Sequence, residues 1–394
     1  MRSLKSEKYY SIMFMIMGLL VFSPMSSIIS IDILRLPLAL PEALLVPFLF
    51  LLKDKFKSLR IKRHTLYNVF FACFLLFFFA LLAGEFSLFA ILSNARVWFY
   101  LFLFLGIFQN ANEITNDDML YFAFGSIIGW TIACYFNINK FMAVGDYRIF
   151  ITYGLMLSLP LFYSIAVLNG KKKLILIGIA LNIVIIMLCG TRRVILVTAL
   201  SIVAAMIIQG IHKKKNLFMY FIIGVTLLVG FTTMLPTIEE SIKELSPHLH
   251  YRLFTRTKAL AEGDFGDEGD MARFNFIAST FDEMENSCLP NGFISMQTST
   301  DDVGRYNDYP VIMLFWIFSW PLTFIILFYF LKILLRNFRK YVKTNETAPF
   351  VSVVSLLVMF ALILIDGSFL AFGYATPVTG AMLGMAIKNS KSRQ

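Results

Sequence analysis

The side chains able to do chemistry in this chain are a few arginines and aspartates set between or inside apolar runs. Gly190-Thr191-Arg192-Arg193 separates two such runs. Arg192 and Arg193 open the second run, at an expected helix N-terminus, where free N–H groups and the helix dipole favour an anion. Guanidinium forks match phosphate oxygens two at a time, so a phosphate ligand is expected here. The competing reading is a pair of interfacial anchors whose long side chains reach the headgroup layer. Arg148, two residues after Asp146, begins another apolar run, and Arg273 lies on an amphipathic segment. Arg96 sits inside the run around Asn94-Ala95-Arg96-Val97-Trp98. A mid-bilayer arginine costs at least about 2.5 kcal/mol and needs a partner or a wet cavity. Two readings stay open: an ion pair with an acid such as Glu85 or Glu42, or a cavity shared with Asp146 and Asn307.

Asp308, in Arg305-Tyr306-Asn307-Asp308-Tyr309-Pro310, stands just before an apolar run. A carboxylate there could accept a proton from a hydroxyl. It could equally cap the helix that follows, with Pro310 in the first turn. His248 and His250 are close neighbours in a polar stretch. Surface histidines near a headgroup layer are the preferred reading, since metal ligation needs specific ligand spacing. The four histidines are scattered, and no Walker motif, HExxH, Gly-x-Ser-x-Gly or dinucleotide fingerprint occurs. No metal and no cofactor are expected.

These residues have to be positioned by helices that cross a bilayer. Hydrophobic residues make up 58% of the 394 and charged residues 15%, with a mean hydropathy of +0.74. Soluble domains carry nearer about a quarter charged residues, so an ordinary soluble fold is excluded. Runs of roughly 18 or more apolar residues are spanning candidates. They fall near 9–29, 33–52, 66–84, 87–108, 118–137, 149–168, 174–190, 193–210, 217–235, 309–334, 349–366 and 369–387. The expected fold is therefore an all-α polytopic membrane protein of about twelve transmembrane helices. It divides into helices 1–9 over residues 1–236, a large partly helical periplasmic loop over 237–308, and helices 10–12 over 309–394. The pairs joined at Gly190 and Gly367 are close enough for helical hairpins or re-entrant turns.

The net charge of +10 would suggest nucleic acid in a soluble protein. Here the cations cluster between apolar runs and read as topology signals and lipid contacts, so no nucleic-acid partner is expected. Clusters at 53–63, Lys171 to Lys173, Lys213 to Lys215, 336–343 and 388–393 follow the second, sixth, eighth, tenth and twelfth runs. All fall on the side of the N-terminus, which the positive-inside rule assigns to the cytoplasm, with both termini there. Arg2, Lys5 and Lys8 before the first run suggest an uncleaved signal anchor. The opposite face receives 145–148, the Gly190 turn, the long loop and the Asp366-Gly367-Ser368 turn. Polar chemistry thus gathers on the outer face. Within the loop, 237–245 reads as a short helix, 249–262 as basic and amphipathic, and 263–270 as an acidic glycine-rich turn. Phe274, Ile277, Ala278 and Phe281 mark a one-faced helix over 271–285, which Pro290-Asn291-Gly292 follows as a break. The four cysteines, Cys73, Cys134, Cys189 and Cys288, include no CxxC, and no disulfide is expected.

The stretch Met187-Leu188-Cys189-Gly190-Thr191-Arg192-Arg193-Val194 resembles the Ser/Thr-Arg entry to an apolar helix in the O-antigen polymerase and O-antigen ligase superfamily. Asp146-Tyr147-Arg148-Ile149 resembles that family's Asp/Asn-Arg entry to an earlier span. Ala272-Arg273-Phe274-Asn275 resembles the arginine-led helix of its large periplasmic loop, and Leu289-Pro290-Asn291-Gly292-Phe293 the Pro…Gly segment after it. The resemblance covers about 140–335 in the same order.

The resemblance implies metal-independent glycosyl transfer at the periplasmic face of the bacterial inner membrane. The donor would be a glycan on undecaprenyl pyrophosphate, and the acceptor a second lipid-linked repeat unit. Arg192 and Arg273 match the family's arginines and would hold the pyrophosphate, with Arg148 or Arg193 assisting and Asp308 as a speculative base. Ligases carry a His-Asn pair before the span that follows the loop, where this chain has Asn307-Asp308, and that departure favours a polymerase. A ligase to lipid A-core and a flippase or other transporter are the alternatives. A chain-length regulator is an expected partner besides membrane lipids.

Overall fold

The structure is a computed structural model that describes residues 2–23, 47–48, 50–52, 63–82, 88–110, 114–144, 153–189, 192–212, 239–244, 250–255, 289–292, 310–365 and 375–391, some of them by backbone alone. The described residues are helical, with no strand among them. In chain order the helices are α1 (Arg2–Leu20), α2 (Arg63–Leu82), α3 (Leu88–Asn110), α4 (Asn116–Val144), α5 (Tyr153–Leu168), α6 (Lys172–Cys189) and α7 (Arg192–His212). After a long segment come α8 (Pro310–Thr344), α9 (Thr347–Ile365) and α10 (Ala375–Lys391). Among the described residues, three stretches are long and apolar enough to cross a membrane: Asn116–Phe136, Val194–Ile211 and Ile317–Thr344. Each of α1 to α10 coincides with an expected apolar run. The expected run 217–235 lies outside the described residues, and 33–52 meets them only at 47–48 and 50–52. What stands is that the described residues are all-helical and include helices long and apolar enough to cross a membrane; the count of twelve is not established.

The surface argues for a membrane independently of helix length. On α2, Phe70, Phe71, Phe74 and Phe78 point outward, with Phe74 62% exposed. On α8, Phe324, Ile325 and Phe328 do the same, Phe328 at 70%. Contiguous exposed aromatic and aliphatic surface on this scale marks a site of contact with something apolar. Burial, by contrast, includes small polar groups such as Ser23, Ser126, Ser158 and Ser164.

Those small residues bring helices together. A Cβ on Gly125 would collide with the Met15 carbonyl, one on Gly18 with the Phe122 carbonyl, and one on Gly129 with Ser23 and the Leu19 carbonyl. Numbers rise together along both helices, so α1 and α4 pack side by side and parallel. Ser158 Oγ donates to Ser126 Oγ at 3.0 Å, and Ser126 Oγ donates to the Phe22 carbonyl at 3.1 Å. Gly380 meets the Leu101 carbonyl and Gly384 the Leu105 carbonyl, so α3 and α10 are parallel too. Small residues at four-residue spacing let backbones approach closely where lipid supplies no hydrophobic drive.

Helix ends follow from local chemistry. Thr115 and Asp118 form a reciprocal capping pair on α4: Asp118 N–H donates to Thr115 Oγ1 at 3.2 Å, and Thr115 N–H to Asp118 Oδ2 at 2.9 Å. At the end of α5, Gly170 (φ 63°) lets its N–H reach the Val167 carbonyl and that of Lys171 the Ala166 carbonyl. This is the paired C-terminal closure that a left-handed glycine permits. Lys171 Nζ then pairs with Asp117 at 2.7 Å, tying the end of α5 to the start of α4.

The sequence reads 309–334 as one span, and here the structure differs. Inside α8, Ser319 has φ 63° and ψ 168°, a conformation close to glycine-only, and Pro321 follows. Pro321 has no N–H for the Ile317 carbonyl four residues earlier. The N–H of Gly292, from the segment between α7 and α8, donates to that carbonyl instead, at 3.1 Å. Thr323 Oγ1 spans the break to the Leu314 carbonyl at 2.8 Å. Broken helices survive at membrane depth only where other groups satisfy the freed backbone.

Candidate functional site

The α6–α7 turn is as tight as the sequence suggests. Helix α6 ends at Cys189 and α7 starts at Arg192, leaving only 190–191 between them outside the described residues. Arg192 and Arg193 therefore stand in the first turn of an apolar helix, where four backbone N–H groups have no partner within the helix. Their side chains are outside the described residues. Arg96 falls in the backbone of α3, two residues before Trp98, and its side chain is likewise not described. Arg148, Asp146, Arg273, Asn307 and Asp308 all lie outside the described residues, as do Glu42 and Glu85. Helix α8 begins at Pro310, in the first-turn position expected of it.

A polar junction that sequence reasoning missed lies beneath this turn. Asn182 of α6 is 2% exposed. Its Nδ2 donates to Tyr163 Oη of α5 at 2.7 Å and to Thr198 Oγ1 of α7 at 3.0 Å. Its Oδ1 is buried with no partner among the described residues. Thr198 lies six residues after Arg192, about 9 Å along the helix axis. One amide thus fixes three helices directly below the arginine pair. The available signal was an asparagine alone in the apolar run Leu181-Asn182-Ile183.

The long segment between α7 and α8 is anchored at one described point. Pro290 and Gly292 are buried, and Gly292 (φ 69°) lies against the backbone of α2. A Cβ there would collide with the Leu76 carbonyl and come within 2.8 Å of the Ala80 nitrogen. The Pro-Asn-Gly element therefore wedges between α2 and the break in α8. Ser319 at that break is 4% exposed, and its hydroxyl has no partner among the described residues. Trp98 packs edge-on against Phe318 beside it, centroids 5.2 Å apart. Residues 239–244 are helical, inside the expected short helix, and Tyr251–Thr255 is a π-helical turn. His250 Nε2 lies 3.0 Å from Glu239 Oε1, and its ring stacks on Phe254. His248 and the expected helix over 271–285 fall outside the described residues.

No family model matches the chain, and no curated protein matches it.

Proposed function

We propose that this chain is an inner-membrane polymerase of surface polysaccharide. It transfers a growing glycan from undecaprenyl pyrophosphate to a lipid-linked repeat unit at the periplasmic face. The observation that carries the reading is the α6–α7 turn, where a helix N-terminus begins with Arg192-Arg193 above a buried polar junction. An N-terminus with two guanidinium groups suits a pyrophosphate, whose negative charge grows as the glycosyl C–O bond breaks. Arg273, and Arg148 after it, would join from the loop and from the preceding span. The acceptor hydroxyl forms the new C–O bond and gives up its proton, with Asp308 as the base.

The parallel packing supports twelve crossings with both termini on one side, which the positive-inside rule makes the cytoplasm. Only α2 and α3 separate α1 from α4 among the described residues, and two crossings would leave α1 and α4 antiparallel. A further span at 33–52 makes them parallel, as found. The same alternation makes spans four and twelve parallel, which is how α3 and α10 pack.

One observation favours a transporter as the second reading: helices broken at membrane depth commonly frame transported substrates, and α8 is broken at Ser319. The deletion phenotype decides. A polymerase mutant should display lipid A-core with a single repeat unit. Bare core with accumulated lipid-linked polymer would indicate a ligase, and repeat units trapped on the cytoplasmic leaflet a flippase. In the polymerase, Arg192→Ala should abolish polymer without loss of protein from the membrane, and Arg192→Lys should rescue poorly, since a point charge does not reproduce the bidentate fork.

A further inference from the structure

We infer that the groove between α2, α3, α8 and α10 is a binding site for one anionic phospholipid of the cytoplasmic leaflet, separate from any site at the outer face. The groove has a volume of about 680 Å³. That lies within the range of about 300–1,000 Å³ typical of small-ligand sites. Its walls are apolar along most of their length, with Trp98 and Phe318 among them. Asn68, Gln109 and Lys391 also line it, and they stand at one end. Asn68 is in the second turn of α2, Gln109 in the last turn of α3, and Lys391 closes α10. Helices α3 and α10 are parallel, so their C-terminal ends share a side.

Length and charge select the occupant. From Thr379 to Lys391, both in the lining, α10 rises about 18 Å. Half of a bilayer's hydrocarbon core is about 15 Å, so along α10 the groove is about one leaflet deep. An acyl chain of a single leaflet fits that depth, whereas a long polyprenyl chain does not. Lys391 is the one charged residue among the described lining residues. Among the described residues on that side, Asp117 pairs with Lys171, Glu346 with Lys340, and Asp118 caps α4. In sequence, Lys53, Lys55, Lys57, Arg60, Lys62 and Arg63 come just before the second turn of α2 that carries Asn68. Amide donors beside an ammonium group, with basic sequence around them, suit a phosphate headgroup. The leaflet's name, though not the site, rests on the orientation given under Proposed function.

The test uses the full chain in detergent and reads quenching of tryptophan fluorescence by lipids with brominated acyl chains. Phosphatidylglycerol should quench saturably, through Trp98, at about fivefold lower concentration than phosphatidylcholine, the factor expected from one lysine near a headgroup. Lys391→Gln should bring the two lipids to equal midpoints. Ala72→Phe, which fills the α2 wall, should remove the saturable component for both. Equal midpoints in the native chain, or an unchanged ratio in Lys391→Gln, would overturn the inference. So would relief of quenching by stoichiometric polyprenyl phosphate but not by unlabelled phosphatidylglycerol. The readout needs no glycosyl transfer, so its failure leaves the polymerase reading standing, and a failed polymerase reading leaves the groove.

Discussion

Gly292→Ala is the most informative single change, because Gly170→Ala supplies its control. Both glycines hold left-handed backbone, at φ 69° and 63°. Giving either a Cβ costs about 1–2 kcal/mol in that conformation. Gly170 has open space around the added atom. At Gly292 the Cβ meets the Leu76 carbonyl and the Ala80 nitrogen, both rigid helix backbone. Relief requires the loop or α2 to move, at about 1–3 kcal/mol for an overpacked site. Movement also weakens the 3.1 Å bond from Gly292 N–H to the Ile317 carbonyl. Losing it strands a buried acceptor, worth about 1–3 kcal/mol. The sum is roughly 3–8 kcal/mol for Gly292→Ala, against about 1–2 kcal/mol for Gly170→Ala. Unfolding in detergent can be followed with a thiol-reactive dye, since the Cys134 thiol is in no disulfide and is 0% exposed. Gly292→Ala should melt well below Gly170→Ala. Equal melting, or a lower value for Gly170→Ala, would refute the wedge.

Other outcomes follow from the same contacts. Gly125→Leu should push α1 from α4 and lower the melting temperature, by about 1–3 kcal/mol of overpacking or more. Asn182→Leu should cost about 1 kcal/mol in the same melt and reduce polymer formation, because α7 is then held to α5 and α6 by packing alone. Asp308→Asn should abolish polymer while the protein stays folded if the carboxylate takes up a proton, and should retain most polymer if it only caps α8, since Asn caps as well as Asp. Reporter fusions after Lys172, Lys214 and Arg339 should report cytoplasm and one near Asp267 the outside; an external signal after Lys214 would sink the twelve-span alternation.

Helix positions were legible because apolar length is a property of sequence alone. The run expected at 87–108 became Leu88–Asn110, and that at 174–190 became Lys172–Cys189. Helix α8 outruns its expected end at 334 because Arg336, Arg339 and Lys340 continue it beyond the hydrocarbon, where charge is no obstacle. Its break was readable in principle from Pro321, but a hydropathy sum is blind to one missing N–H. Helix pairing was also within reach. Gly125-Ser126-Ile127-Ile128-Gly129 and Gly380-Ala381-Met382-Leu383-Gly384 both carry the small-residue spacing that marks a contact face, although no spacing names the partner helix. The arginine and aspartate constellation is legible only as an order along the chain. Of its members, Arg192, Arg193 and Arg96 have described backbone and the others do not, so their convergence rests on the proposal.

The wedge at Gly292 bears on how such a chain could be recombined. A long segment between two helices looks like a cassette that could be exchanged on its own. Here one end of the cassette completes the backbone bonding of α8 and lies flush against Leu76 and Ala80 of α2. Chimeras that swap 237–308 alone would carry a Pro-Asn-Gly element cut for a different seat. Grafts that move it together with the outer halves of α2 and α8 keep donor and acceptor matched, and those are the exchanges expected to yield folded protein.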